Sequence, residues 1–426
     1  MEKLLMLGNS YCTREMVEHA KAMGVHTIVT DGLPPEKSTI KLVADEYWMI
    51  DTSHLDELEQ KCREEGITAV ASGISEFNQD MALELCERLG LPNYATKDAW
   101  QFNRNKAKFK ALCKQVGAPV ATDYYLTDAL TDEELDAVQF PVVVKPVDGC
   151  GNKGISFCYN REELIKAYRY ARSMSNNSTI IVERLITGRE YACVYAIADG
   201  EPALVVIDRS LRQPGEPSNC YVLSTTIFPD RKHYFDEVDE YVKKVLKGAG
   251  CKEGMAFVQV MPDPENGGDY LIEMGYRLPG DLLFMPAKEL NHFDAAKWML
   301  ECALGIKHTR EDLPAPPKES YTACAASYLL WNNKPGVITE INGIDEIRKI
   351  PGVKVITDNC NVGDYRAIYG RTITIQFSSA DCDELCEKVK MINQLIEIKN
   401  ENGEDMLIRF TDFDTLKDAY RQSLAE

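Results

Sequence analysis

No stretch of this chain approaches the run of about 18 apolar residues that a membrane-crossing helix needs. Its apolar start, Met1–Leu7, is too short for a secretory signal, and a strand suits it better. Positive charge is in deficit: 48 Lys and Arg stand against 67 Asp and Glu, a net charge of −19. Such a surface repels phosphodiester backbones and anionic lipid, so neither nucleic acid nor membrane is expected as a bulk partner. The basic residues that matter must then be gathered locally. Histidine is sparse, six in 426 residues, and none falls in an H-E-x-x-H or other metal spacing. Cysteine is not scarce, at fourteen, yet C-x-x-C is missing; the closest pair, Cys382 and Cys386, has the i,i+4 spacing of helix packing. The pattern reads as reduced thiols in a cytoplasmic protein rather than a disulfide framework or zinc site. Two nucleotide signatures are missing too: no Lys-Ser/Thr pair closes a glycine loop as in P-loop enzymes, and no G-x-G-x-x-G follows a strand as in dinucleotide folds.

What is present is an ordered globular composition, 45% hydrophobic and 27% charged, long enough for two to four structural units. Residues 1–95 alternate strand and helix signals. Lys3–Leu7, His26–Thr30 and Ile67–Ala71 read as strands, and Thr13–Met23, Leu55–Glu65 and Asp80–Leu89 as helices stopped by Gly24, Gly66 and Gly90. That order predicts an open parallel sheet, with ligand-facing loops at Gly8-Asn9-Ser10, Asp31 and Gly73–Glu76. Turn chemistry is the stronger reading for Asn9 and Ser10. Asn105–Val116 reads as a helix whose lysines, 106, 108, 110 and 114, mostly form a solvated basic face. Leu313-Pro-Ala-Pro-Pro317 reads as a linker, followed by a mostly β unit closed by a helix over Cys382–Leu395.

The most informative segment is Phe140-Pro-Val-Val-Val-Lys-Pro-Val-Asp-Gly-Cys-Gly-Asn-Lys-Gly-Ile155. A buried strand ends in the cation Lys145. A loop with Gly149, Gly151, Lys153 and Gly154 follows, and a strand returns at Ile155–Tyr159. Glycines let backbone N–H groups close on an anion while lysines supply charge, so this is expected to be a phosphate cover between antiparallel strands. Three other features join it: Lys106; the segment Glu183-Arg-Leu-Ile-Thr-Gly-Arg-Glu190; and Gln259 with Glu273, on the strands Gly254–Met261 and Tyr270–Met274. Alternation puts Phe257 with Gln259 on one face, and Leu271 with Glu273 on one face. Two oxygen ligands from neighbouring strands suit Mg²⁺, which takes its remaining ligands from phosphates and water. Arg277 follows close enough to meet a transferring phosphate.

In order and spacing these features resemble the ATP-grasp superfamily, and within it the L-amino-acid (dipeptide) ligases and related carboxylate–amine ligases. The resemblance spans essentially the whole chain. It implies an α/β fold with an N-terminal open parallel α/β domain (1–100), a two-part α+β ATP-grasp domain (101–310, lid about 122–182) and a C-terminal β-rich domain (318–426). By the same resemblance Lys106 and Lys145 meet the ATP phosphates, with the 148–154 loop folded over them. Glu183 and the Leu185–Ile186 backbone meet the adenine edge, and Glu190 the ribose. Gln259 and Glu273 hold Mg²⁺, or alternatively Mn²⁺, and Lys145 and Arg277 serve catalysis. Two positions depart from the family pattern: Gln259 stands where the first metal carboxylate is usual, and Gly275 replaces Asn in Glu-x-Asn-x-Arg. Glu76, Arg209 and Arg212 are candidates for substrate contacts, with turn capping or a solvated strand end as the competing readings, and Asp281 is an indirect contributor. The implied function is ATP-dependent amide formation between a small carboxylate and an amine through an acyl phosphate. A bicarbonate- or formate-activating enzyme and a non-catalytic ATP-binding protein stand as alternatives. Dimers are common among similar proteins, so a homodimer is an open expectation.

Overall fold

The computed structural model describes residues 2–147, 154–175, 179–216, 220–315, 322–356 and 360–424. The first four strands, β1 (Lys3–Leu7), β2 (His26–Thr30), β3 (Glu46–Trp48) and β4 (Ala69–Ser72), form a sheet in the order β3-β2-β1-β4. All its pairings are parallel, as the strand–helix alternation predicts. β3 went unread because a three-residue strand carries no periodic signal. Helices Leu55–Glu65 and Glu76–Leu89 end on Gly66 and Gly90, both in the left-handed region at φ +68° and +69°, where a side chain would be strained. The second of these helices begins four residues earlier than expected because Ser75 caps it, accepting from the Asn78 N–H. Ser10 likewise caps the helix Tyr11–Ala22. Asp31 is taken up locally by a buried ion pair with Lys41 at 2.9 Å.

A second sheet contains β5 (Asp123–Tyr124), β6 (Val142–Pro146), β7 (Ser156–Cys158) and β8 (Ile180–Arg184), ordered β5-β8-β6-β7. β6 and β7 pair antiparallel, so the glycine loop joins two antiparallel strands. The helix Arg161–Met174 packs on this sheet through Leu164, Ala167, Tyr168 and Ala171.

The central element is an eight-stranded sheet. Its strands are β9 (Tyr191–Ala198), β10 (Glu201–Arg212), β11 (Tyr221–Thr225), β12 (Gly254–Pro262), β13 (Asp269–Gly275) and β14 (Cys324–Trp331), then β16 (Lys354–Ile356) and β18 (Arg371–Ser379). β15 (Gly336–Asn342), β17 (Tyr365–Arg366) and β19 (Glu397–Asn400) form a separate small sheet. The large sheet runs β13-β12-β9-β10-β11-β14-β18-β16, so hydrogen bonds cross from β11 to β14 over the proline-rich segment. β10 is longer than the expected Ala203–Asp208 because its alternation continues through Arg212. One face is covered by the helices spanning residues 231–248: Tyr195 donates to Asp239 at 2.5 Å, and its hydroxyl also meets that of Tyr234. Farther along that face lies the helix Cys382–Leu395, whose Asn393 accepts from Tyr328. The opposite face carries Gln259 and Glu273 and is partly roofed by Asp281–Leu282, which accept from Ser327 and Gln376. A helix over Phe413–Leu424 closes the C-terminal core beside the expected Cys382–Leu395 helix. Among the described residues no helix is long and apolar enough to cross a membrane, and every described cysteine is free and buried.

Candidate nucleotide and metal site

Lys106 opens the helix Lys106–Gln115, capped by Asn105, and its Nζ meets Glu273 of β13 at 2.8 Å. Lys145, the last residue but one of β6, is 6% exposed and pairs with Glu183 of β8. Glu183 also accepts from Lys110 at 2.7 Å, and Lys110 and Lys114 both bond Asp123, at 2.5 and 2.7 Å. Lys110 therefore belongs to a buried ion cluster rather than to a solvated face. The available signal was helical spacing: Lys106 and Lys110 are i and i+4, on one side of their helix. Burial pushes the Glu183 carboxyl up, but Lys145 and Lys110 outweigh it and hold the group below its ordinary range. Glu273 behaves alike, with burial opposed chiefly by Lys106. Lys106, Lys110, Lys145 and Glu183 also line a cleft of about 10 Å³ between the β5–β8 sheet and β13.

Gln259 and Glu273 are registered partners on β12 and β13; a register shift just beyond them pairs Leu271 with Val260, so the alternation expected to put Leu271 and Glu273 on one face is interrupted there. Ala192 and Asp208 continue their row across β9 and β10. Ser210, Ser224, Ser327 and Gln376 form the next row on the same face. Glu190 precedes β9 on this face and accepts from the Tyr221 hydroxyl at 2.5 Å, which in turn accepts from Arg212 at 2.7 Å. Enclosure raises the Glu190 carboxyl, and Glu273 adds to the effect. Gly188 fixes the chain's path here: a Cβ would lie 1.7 Å from the Pro262 carbonyl oxygen, so no other residue fits. Asp208, unread in the sequence, is 3% exposed with Oδ1 buried and unpartnered among the described residues. Burial and Asp281 push its carboxyl well up.

Arg277 bonds Glu76 at 2.7 Å rather than Glu273, and Arg104 reaches the same carboxylate at 2.8 Å. Glu76 thus brings the first turn of an N-terminal helix to Arg277, just past β13. The Arg277 guanidinium also lies 5.2 Å over the Phe257 ring. Phe257 and Gly275 are registered partners, and a Cβ on Gly275 would fall 2.2 Å from that ring. The departure from Asn at this position has a packing reason: Phe257 occupies the volume.

The strands part Arg209 from Arg212. Arg212 faces Glu190, while Arg209 points through the opposite face. Leu185 donates its N–H to Pro141, and Ile186 is buried beside it. Gly154 takes φ +81° with Pro146 against it. Gly149, Gly151 and Lys153 lie outside the described residues.

The donor set suits a phosphate-bridged Mg²⁺. One carboxylate and one amide oxygen stand on adjacent strands beside three lysines, and no group of three or more His, Cys, Asp or Glu side chains able to hold a metal occurs among the described residues. An ion here would owe most of its ligands to nucleotide and water.

Residues 138–283 match the family model described as an ATP-grasp domain. A carbamoyl phosphate synthase large chain from Clostridium botulinum is 27% identical over 280 residues, covering 63% of this chain and 25% of that protein. The chain thus spans about a quarter of the length of the synthase large chains it matches. The L-amino acid ligase of Bacillus licheniformis superposes with TM-score 0.76 at 19% identity, over 94% of this chain and 99% of that one. The biotin carboxylase domain dimer of Hydrogenobacter thermophilus 2-oxoglutarate carboxylase, solved with MgADP, ADP and bicarbonate, gives TM-score 0.74 at 18% identity, over 99% and 94%. Residues 138–283 thus match an ATP-grasp domain, and the chain shares its overall fold with an L-amino acid ligase and a biotin carboxylase domain.

Proposed function

We propose that the protein is an ATP-dependent ligase that joins a small carboxylic acid to an amine. The observation that carries this reading is the convergence of Lys106, Lys110 and Lys145 with the Gln259–Glu273 pair between the lid sheet and the central sheet. Each lysine is held by a carboxylate that triphosphate oxygens can replace: Lys145 and Lys110 by Glu183, Lys106 by Glu273. Released from Lys106, Glu273 can serve with Gln259 as a metal oxygen, and Mg²⁺ would neutralise charge on the transferring phosphate. Glu183, Leu185 and Ile186 would flank the adenine, and Glu190 the ribose. The substrate carboxylate attacks the γ-phosphorus in line, giving an acyl phosphate and ADP. The amine then displaces phosphate and forms the amide. No covalent enzyme intermediate is required, since positioning and charge neutralisation by Lys106, Lys145 and Arg277 lower the barrier. Closing the lid over the site would exclude water that otherwise hydrolyses the acyl phosphate.

The test is ADP release with Mg²⁺ across a panel of amino acids, bicarbonate and formate, each with and without an amine acceptor. An amino-acid-dependent signal that requires the amine supports the ligase. A signal with bicarbonate or formate alone moves the chemistry to those acids, and ATP binding without turnover on any substrate sinks the catalytic reading. Lys145→Ala and Glu273→Ala are each expected to abolish ADP formation, and normal turnover by both would overturn the site.

A further inference from the structure

Neighbouring residues of a strand face opposite sides of the sheet, and on β10 this separates two charges. Asp208 looks toward the face that carries Glu273 and Gln259. Arg209 looks through the other, beside its registered partner Tyr191. Arg189, two residues before Tyr191, returns to that same side and is exposed. This is the face roofed on one flank by the helices of residues 231–248 and on the other by Cys382–Leu395.

Arg209 is 6% exposed, and its Nε and Nη1 are buried without a hydrogen-bond partner among the described residues. Asp269 reaches this face through Tyr191, the registered partner of Arg209, and both its oxygens are engaged: Tyr191 donates to one at 3.1 Å, and His233 Nε2 meets the other at 2.6 Å. Burial draws the Arg209 pKa down first, and the charge that adds most to this is a second cation, Arg189, with Tyr191 opposing it. A guanidinium stays protonated even when buried, so it must be compensated by something negative. A solvated strand end would leave those nitrogens to water, but this one withdraws them from it. In a chain with 19 more acids than bases, two arginines side by side without a carboxylate between them are also against the statistical grain.

We propose that Arg209, at the floor, and Arg189, at the rim, form a binding site for a compact oxyanion, a phosphate or a carboxylate group, on the side of the central sheet opposite the ATP-facing residues. Arginine suits the role because its fixed donors match the oxygens of both groups, and charge-assisted hydrogen bonds are the stronger kind. The site lies outside the proposed reaction path, so its existence does not depend on which acid or amine the enzyme joins.

Inorganic phosphate is the probe, titrated against the full chain at constant ionic strength with chloride as the balancing anion, and read as the shift in thermal midpoint. The lysines of the other face also attract phosphate, so the titration is run on Lys145→Ala as well as on the wild type. The expected result is a saturable rise in both, absent in Arg209→Met and with about tenfold weaker half-saturation in Arg189→Ala, whose exposed position leaves folding intact. Methionine keeps the bulk of the arginine stem without the charge, and Arg189→Ala keeps the test decisive if the buried variant does not fold. Acetate in a parallel titration tells a carboxylate preference from a phosphate one, and a response to either ion with this mutational pattern supports the site. No response in the wild type, a response that survives Arg209→Met or is unchanged in Arg189→Ala, or one lost in Lys145→Ala would overturn it.

Discussion

At Gly275 the ring of Phe257 leaves no room for a side chain, and the Arg277 guanidinium lies over that same ring. The three positions are therefore one packing unit. Introducing Gly275→Asn alone forces Phe257 aside, and overpacking of this kind costs about 1–3 kcal/mol. Phe257→Ala alone removes a residue that is 8% exposed and should cost about 3 kcal/mol. In the double variant the new amide occupies the space the ring left, so its loss of stability should be smaller than the two single losses summed. Denaturation midpoints of the four proteins measure this, and simple additivity would refute the coupling. The Mg²⁺ concentration for half-maximal ADP formation should fall only in the double variant. Gly275 was visible in the sequence as a missing ligand, but the reason was not, because it depends on which residue stands across the strand pair. Lys110 shows the same limit. Its spacing from Lys106 was plain, yet its partners Asp123 and Glu183 lie 13 and 73 residues away, and a basic face looks identical until they are placed.

Elements were legible where their signals are local. Glycine stops, and continuous apolar strand runs such as Tyr191–Ala198, need only neighbouring residues to declare themselves. Contacts between elements need more. Asp294 caps the helix Ala295–Ala303 through the Lys297 N–H, which its position suggests; its bond to His19 on Tyr11–Ala22, at 3.1 Å, nothing suggests. The hydrogen bond to Asp294 raises the His19 pKa above 6.5 against the opposing effect of burial, with Lys288 lowering it and Glu15 raising it slightly. Burial raises Asp294, but His19 and the Lys297 N–H more than offset that and leave it below 3.8. A raised histidine stabilises the fold fully below its unfolded value and stops doing so as pH climbs through the folded one. A lowered aspartate stabilises above its unfolded value and stops as pH falls through the folded one. The junction is thus strongest between roughly pH 4 and 6.5. Urea midpoints of wild type and His19→Gln should differ most near pH 5.5 and converge by pH 8.5; a constant gap would show that the pair does not titrate as described.

At the scale of the molecule, the parallel N-terminal sheet and the antiparallel β6–β7 pair followed from element order, whereas the continuity of the eight-stranded sheet did not. A proline-rich segment looks like a break whether or not the strands on either side of it pair. β11 bonds β14 through Leu223–Tyr328, Ser224–Ser327 and Thr225–Ala326, so residues beyond the segment complete the sheet that carries Gln259 and Glu273. A chain ending at residue 315 would leave β11 as an open edge with Val222 and Leu223 uncovered, the situation that drives edge-to-edge association. Size-exclusion profiles of that truncation should show aggregate in place of a single species, and a well-folded monodisperse fragment would contradict the expectation.

The two polar rows on this sheet also act as a gauge. Strands stand about 4.8 Å apart, so three steps, from Gln259 on β12 to Ser224 on β11, cover about 14 Å. The fourth step reaches Ser327, whose hydroxyl already donates to the Asp281 carbonyl under the roof of Asp281–Leu282. The Asp281 side chain reaches Asp208 already at the second step, so a molecule lying across the strands with one end at Gln259 has about 10 Å before it meets that roof, the reach of roughly three extended residues. In an enzyme of the proposed kind, the spacing of the strands, more than any one side chain, would set how long a substrate can be.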